Sequence, residues 1–325
     1  MRLKHLVTTT LGLLCLGSRV LAWDAAGHRQ VADIAWAKLT PHAKSEITAI
    51  LMAGDPQFRP VSDKEEDVRE AFRKSATFPD VIKGDRTTQY EDIIPKMNLL
   101  FFTTEKPDPA NSEDVLCKTW HYFDVPIRDK GNHPAPESNA LNALKMARTE
   151  IAKLERAPVK DRKMQAWWLY WTEHIVGDLH QPLHCVSSYE YETEKGDAGG
   201  NRIQVITDPA QPDRKNRLHG YWDGGIARAI GEDRQNNLSP TVEEVSARWS
   251  ADPMLKPTGK SASNLDVKSW IMAGAKQADT LVYKDLKPDG PLPAGYAEMQ
   301  VRLCKQQAVL AGARLANMLN SLLGK

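Results

Sequence analysis

Residues 164–184 read MQAWWLYWTEHIVGDLHQPLH, and this stretch decides the fold. Met164 to Leu179 is long enough for a helix, and its run of aromatic residues predicts burial on more than one face. His174 and Asp178 stand four apart, so a helix places them on one side. Pro182 cannot continue that helix without removing the hydrogen bond to Asp178, so the chain must turn there. The turn brings His184 back towards His174 and Asp178. Trp167, Trp168 and Trp171 are read as packing for this central helix.

Working outward, other segments carry helical signals. Asp24 is a cap for apolar residues Val31, Ala32, Ile34, Ala35 and Leu39. Thr40 and Pro41 read as cap and first position of a helix over His42–Met52. Further helices are expected over Glu65–Thr77, Ser138–Arg156, Asp266–Val282 and Tyr296–Leu323. The charged run Lys64–Arg73 reads as a solvated face. Strand signals are confined to Ile203, Val205 and Thr207, after the loop Gly196–Gly200, with Asp208–Asn216 as an exposed hairpin tip. The fold class is all-α: a single mostly helical domain with a small β-hairpin.

The first 22 residues read as a leader. Arg2 and Lys4 are basic, Leu6–Leu16 is largely apolar, and Val20-Leu21-Ala22 supplies small residues for cleavage. The expected division is a signal peptide over 1–22 and one domain over 23–325, with Trp23 as the new N-terminus. That predicts a secreted protein, extracellular or periplasmic. No second long apolar run suggests a membrane anchor, and nothing demands more than a monomer. The leader takes three of the 43 basic residues and none of the 42 acidic ones. The near-neutral remainder argues against a non-specific duplex binder with a basic face. Cys117, Cys185 and Cys304 remain, allowing one disulfide bond in an oxidising compartment, and which pair forms is left open.

The chemistry sits in histidines placed near aspartates. His219 and Asp223 repeat the four-residue spacing of His174 and Asp178. His121 lies in Trp120-His121-Tyr122-Phe123-Asp124, Asp80 follows Pro79, and His28 is close to Trp23. His180 is off the His174/Asp178 face, His133 lies in a proline-rich loop, and His42 is in an exposed first turn. None of these three is a candidate ligand. One His/Asp pair alone is an ordinary hydrogen bond. Repetition beside aspartate points to a divalent metal, and imidazole with carboxylate suits zinc. A free α-amine at Trp23 adds a nitrogen donor, with its own carbonyl oxygen closing a five-membered chelate.

The chain resembles the secreted single-strand-specific zinc nucleases, the class I family of the mung bean nuclease type, which share a fold with bacterial zinc phospholipase C. The resemblance rests on Trp23–His28, His121–Asp124, His174–Asp178, Gln181–His184, Gly199-Gly200-Asn201 and His219–Asp223, in order, and extends to Ala311–Ala316. It implies three Zn2+ ions. One takes Asp80 (or Asp85), His121, His174 and Asp178. Asp178 bridges to a second, which also takes His28 and the amine and carbonyl of Trp23. The third takes His184, His219 and Asp223. The implied reaction is hydroxide attack on phosphorus at the two close ions, with the third stabilising the departing 3′-oxygen.

The implied substrates are single-stranded DNA and RNA, giving 5′-phosphorylated products, together with 3′-nucleotides. Tyr122 is implied to stack on a base, with Asp124 and Asn201 at the base edge. Stacking contributes roughly 1–3 kcal/mol per base and requires an unstacked base, which favours single strands. Arg128 and Lys130 are left unassigned. The alternatives are a phospholipase C using the same metals, and a non-catalytic secreted zinc-binding protein.

Overall fold

The computed structural model describes residues 23–82, 119–131, 133–134, 140–235 and 240–324. The expected leader, Asp85, Cys117 and the Ser138 cap lie outside the described residues. The expectation of a mostly helical architecture holds: long helices surround one buried apolar cluster, with two small sheets at its edge.

The chain opens with α1 (Ala25–Trp36), where Asp24 accepts from the Gly27 N–H at 3.0 Å. Next comes α2 (Pro41–Ala53), with Thr40 as cap and proline in its first turn. The cap satisfies an N–H that has no partner inside the helix. α3 (Glu65–Ser75) carries acids in its first turn and bases in its last, complementing the helix dipole. Its charged run is less solvated than expected. Arg73 is buried, and Arg69 and Arg73 both bond the fully buried Asp33 of α1. A buried carboxylate needs such partners, so this part of the run is a tie between helices.

The sequence-based helix over Glu65–Thr77 does end there, yet the chain resumes at once as α4 (Phe78–Ile82), with Pro79 inside its first turn. Phe78 packs edge-on against Trp167, at 5.6 Å, and lies 5.0 Å from Tyr170. This anchor presents Asp80 to the centre of the molecule.

α5 (Ala140–Arg156) and α6 (Arg162–Asp178) follow, with Asp161 capping α6 at the Met164 N–H, 3.0 Å. Every residue of α6 from Gln165 to Asp178 is buried, as the tryptophans require. Pro182 starts a 3-10 turn, Pro182–Cys185, so the chain does bend where expected.

β1 (Val125–Ile127) pairs in parallel with β2 (Val186–Ser188), a sheet that the sequence reading missed. Three residues with a central proline carry too little alternation to register as a strand. The expected hairpin is present as β3 (Gln204–Ile206) and β4 (Lys215–Arg217). Four short helices, also missed, come next: α7 (Leu218–Asp223), α8 (Gly225–Gln235), α9 (Val242–Ala251) and α10 (Gly259–Ser263). α11 (Val267–Gln277) ends in a π turn, Ala278–Val282, rather than continuing as α-helix.

α12 (Tyr296–Leu323) runs through the middle of the bundle. A methyl group on Gly312 would come within 2.5 Å of Ile34 Cγ2, so glycine is what lets α12 lie against α1. No described helix is long and apolar enough to cross a membrane. Cys185 and Cys304 are buried free thiols, so no bond joins them. Each sits in the space left by a helix glycine, Cys185 against Gly274 and Cys304 against Gly225.

Candidate metal centre

α6 places His174 and Asp178 on one face, and four elements bring partners to them. Asp178 Oδ2 lies 3.2 Å from His174 Nε2 and 3.1 Å from His121 Nδ1. Asp178 Oδ1 lies 3.2 Å from His28 Nε2 of α1 and 3.8 Å from His184 Nδ1. Asp80 Oδ1, on α4, stands 3.7 Å from His174 Nε2 and 3.9 Å from His121 Nδ1. The His28 and His174 rings stack at 3.8 Å, nearly parallel. That stack exists because residue 177 is glycine: a Cβ there would meet His28 Nδ1 at 2.8 Å.

A second group lies beside the first. His184 Nε2 is 3.4 Å from Asp223 Oδ1, and His219 Nε2 is 3.6 Å from Asp223 Oδ2. The two rings face each other at 4.8 Å. Gln181 donates to Asp223 Oδ1 at 2.8 Å, while its own carbonyl oxygen accepts from the Leu183 N–H. Asp24 N–H donates to the Asp223 carbonyl at 3.2 Å, tying the start of α1 to α7.

Backbone carbonyls set which ring nitrogen carries the proton. His174 Nδ1 donates to Ala76 O at 2.8 Å, His184 Nδ1 to His121 O at 3.0 Å and His219 Nδ1 to Gly199 O at 2.7 Å. In the neutral rings the Nε2 lone pairs of all three therefore point into the site. They meet carboxylate oxygens, so acceptors converge on acceptors. His28 Nδ1 and Nε2, Asp80 Oδ1, Asp178 Oδ1, His184 Nε2 and Asp223 Oδ2 are buried without a hydrogen-bond partner. A buried polar atom left so is costly.

The electrostatics agree. Burial alone would raise the Asp178 carboxyl, but positive charge on His174 and His184, with a hydrogen bond from His121, holds it well below the usual carboxylate range. Burial alone would lower His184, yet Asp178 and Asp223 lift it to about 9. The site calls for positive charge. Three sets of donors meet that demand, the first two sharing His174: His28, Asp80 and His174; His121, His174 and Asp178; and, separately, His184, His219 and Asp223. Imidazole nitrogen with carboxylate oxygen is the donor chemistry of zinc, so the residues fit that metal.

His28, Asp80, His121, His174, Asp178, His184, His219 and Asp223, named from the sequence as metal ligands, meet here. Trp23 is fully buried at the head of α1. Tyr122, half-buried, and Asp124 follow His121 at the rim. Burial, with Asp197 nearby, pushes the Asp124 carboxyl up to about 7. Asn201 donates to Ala198 O at 2.9 Å, and its Oδ1 is buried without a partner.

The histidines set aside stay apart. His180 is buried between Val176 O and Arg314, and burial with Arg314 holds it down to about 3. His133 bonds Asp129 and stacks on Tyr189, and His42 is exposed. Arg128 is committed to Asp279, Glu190 and the Tyr283 carbonyl. Gly177 and Gln181 lie in the segments that carry the resemblance, yet the sequence reading assigned neither a role, and it held no sign of the carbonyl acceptors. A glycine inside a helix pattern was a legible signal for Gly177.

Comparison with known proteins adds independent weight. The S1/P1 Nuclease family model matches residues 23–324. The chain is similar to Endonuclease 2 of Arabidopsis thaliana, 27% identical over 161 residues, covering 48% of this chain and 51% of that protein. It is also similar to Endonuclease 5 of Arabidopsis thaliana, 29% identical over 161 residues (47% and 49%). Nuclease S1 of Aspergillus oryzae is 26% identical over 158 residues (45% and 51%). The chain thus spans about half the length of the curated relatives it matches. A family match that runs from the first described residue to the last carries further than those partial identities, and the chain belongs to the S1/P1 nuclease family.

Proposed function

We propose that this chain is a secreted, zinc-dependent endonuclease that hydrolyses phosphodiester bonds of single-stranded DNA and RNA, leaving 5′-phosphates, and that also removes the phosphate of 3′-nucleotides. In this reading residues 1–22 are a signal peptide, and the mature domain, 23–325, works as a monomer without a membrane anchor. The observation that carries the reading is the convergence of buried, unpartnered nitrogen and oxygen acceptors around Asp178.

Three zinc ions are assigned. Asp80, His121, His174 and Asp178 would hold one. Asp178, His28 and the amine and carbonyl of Trp23 would hold another. His184, His219 and Asp223 would hold the third. Divalent zinc in such a site supplies Lewis acidity and lowers the pKa of water from 15.7 towards ~7. The chain's own residues do the rest. Ala76 O, His121 O and Gly199 O fix the ring orientations. Gln181 holds the Asp223 carboxylate in place. Tyr122 offers a ring for a base to stack on, and Asp124 and Asn201 read its edge. With its carboxyl near 7, Asp124 serves at neutral pH as donor or acceptor to a base.

The test is the zinc content of protein beginning at Trp23, together with hydrolysis of denatured and duplex DNA. Tightly held zinc and faster cleavage of the denatured form are expected. Correctly trimmed protein without bound zinc overturns the reading. Release of diglyceride from phosphatidylcholine without nucleotide release replaces it with a phospholipase.

A further inference from the structure

The loop Gly196–Asn201 touches both halves of the proposed machinery, yet its one charged residue, Asp197, has no place in it. Asp197 is buried at 1% exposure. Its Oδ1 accepts from the Ser188 N–H of β2 at 2.9 Å, and its Oδ2 accepts from the Tyr283 hydroxyl at 2.6 Å. Its backbone joins in: Asp197 N–H donates to Ser188 O at 2.9 Å, and Arg202 N–H donates to Asp197 O at 3.1 Å. One carboxylate thus ties β2, the residue after the π turn and the loop itself.

The loop needs this tie. Gly196, Ala198, Gly199 and Gly200 all have positive φ, and for Ala198, at 52°, this conformation is unfavourable. Ala198 N–H is held by Ser187 Oγ at 3.1 Å. A Cβ on Gly199 would lie 2.3 Å from Leu183 O, so the loop passes as close to the His184 turn as backbone allows. The shape delivers two things. The Gly199 carbonyl accepts from His219 Nδ1, and the Ala198 carbonyl accepts from the Asn201 side chain.

We propose that Asp197, with Tyr283, is the positioning residue that sets the third metal group and the base pocket together, through His219 and Asn201. This inference rests on the proposed function. Its two side-chain partners, the Ser188 N–H and the Tyr283 hydroxyl, both donate to it, and an aspartate offers each an acceptor oxygen. An asparagine keeps one acceptor for the Ser188 N–H and turns its amide N–H towards the Tyr283 hydroxyl, which must then accept and loses Asp197 as the partner of its own proton.

The variants that test this are Asp197→Asn and Tyr283→Phe in the full processed chain. Three readouts apply: zinc retained under competing chelator, KM and kcat for a dinucleotide, and the same constants for bis(4-nitrophenyl) phosphate, which has no base. For Asp197→Asn, zinc affinity at the weakest site is expected to fall ~10–100-fold, the scale of an outer-shell loss. KM for the dinucleotide should rise several-fold more than KM for the base-free ester. Tyr283→Phe removes one of the donors and should move all readouts the same way by less, and it carries the test should Asp197→Asn not fold. A lower melting temperature with zinc retention and the ratio of the two KM values unchanged overturns the proposal. Wild-type protein that hydrolyses neither substrate removes the functional reading and this inference with it. Active wild-type protein with unaffected variants removes the inference alone.

Discussion

The group around Asp178 and the group around Asp223 use the same residue types on different foundations. Asp178, His174 and His28 stand on the long helices α6 and α1, with exposures of 0–1%. His184, His219 and Asp223 stand on a 3-10 turn and the six-residue α7, with exposures of 2–6%. In the first group the long helices fix most of the side-chain direction of these three residues, with Ala76 O adding one bond to His174. In the second, short elements fix little, and Gln181, Gly199 O and Asp24 N–H hold the residues in place. The lesson is that one part of a site can be made rigid by packing, while its neighbour depends on single hydrogen bonds.

The largest effect should come from Asp178→Asn. Its two oxygens face His28, His121, His174 and His184, so the loss should exceed the ~100-fold typical of an outer-shell change. Activity should fall beyond that, and metal analysis should show more than one zinc lost. Near-normal hydrolysis would break the idea of a shared carboxylate.

Gly177→Ala tests the packed side. The added methyl strikes the His28 ring at 2.8 Å, and overpacking costs about 1–3 kcal/mol. The melting temperature and the zinc content should drop together. If only stability drops, His28 is no ligand. On the bonded side, Gln181→Ala leaves Asp223 Oδ1 and the Leu183 N–H without partners. A loss of ~10-fold in zinc affinity is expected, within the outer-shell range. The test is chelator competition, and equal loss from both groups would erase the contrast.

The smallest effect concerns Glu173, which is buried beside His174. Burial raises its carboxyl well above the usual range despite the hydrogen bond from Ser75 Oγ. The folded chain therefore keeps a proton that the unfolded chain releases near pH 4.5. The contribution of Glu173 to stability declines as pH climbs above that value. Glu173→Gln should remove that contribution, so that the variant melts higher than the parent at neutral pH and nearly alike at pH 4.5. A parallel decline in both proteins would show that Glu173 is not its source.

Much of the donor set was legible in the sequence because histidine beside aspartate at helical spacing is a local pattern. His174/Asp178 and His219/Asp223 needed no tertiary knowledge, and Pro182 announced the turn that returns His184. The short sheet at Val125–Ile127 and the helices from Leu218 to Ser263 were not legible. Their lengths of three to eleven residues give too few periods to recognise. The carbonyl of Ala76 was equally hidden, since any residue offers one and only the fold decides which imidazole meets it. Arg73 misled for the same reason: its partner, Asp33, lies 40 residues away.

The two cysteines among the described residues, Cys185 and Cys304, add a practical handle. Both sulfurs fill space beneath glycines, and burial lifts the Cys304 thiol to about 12 and the Cys185 thiol higher still. A thiol so protonated is inert to alkylating reagents until it meets water. Labelling rates therefore act as two separate clocks for breathing motions: Cys185 times the opening of the seam with α11 next to His184, and Cys304 times the parting of α8 from α12. Zinc should slow the first clock more than the second.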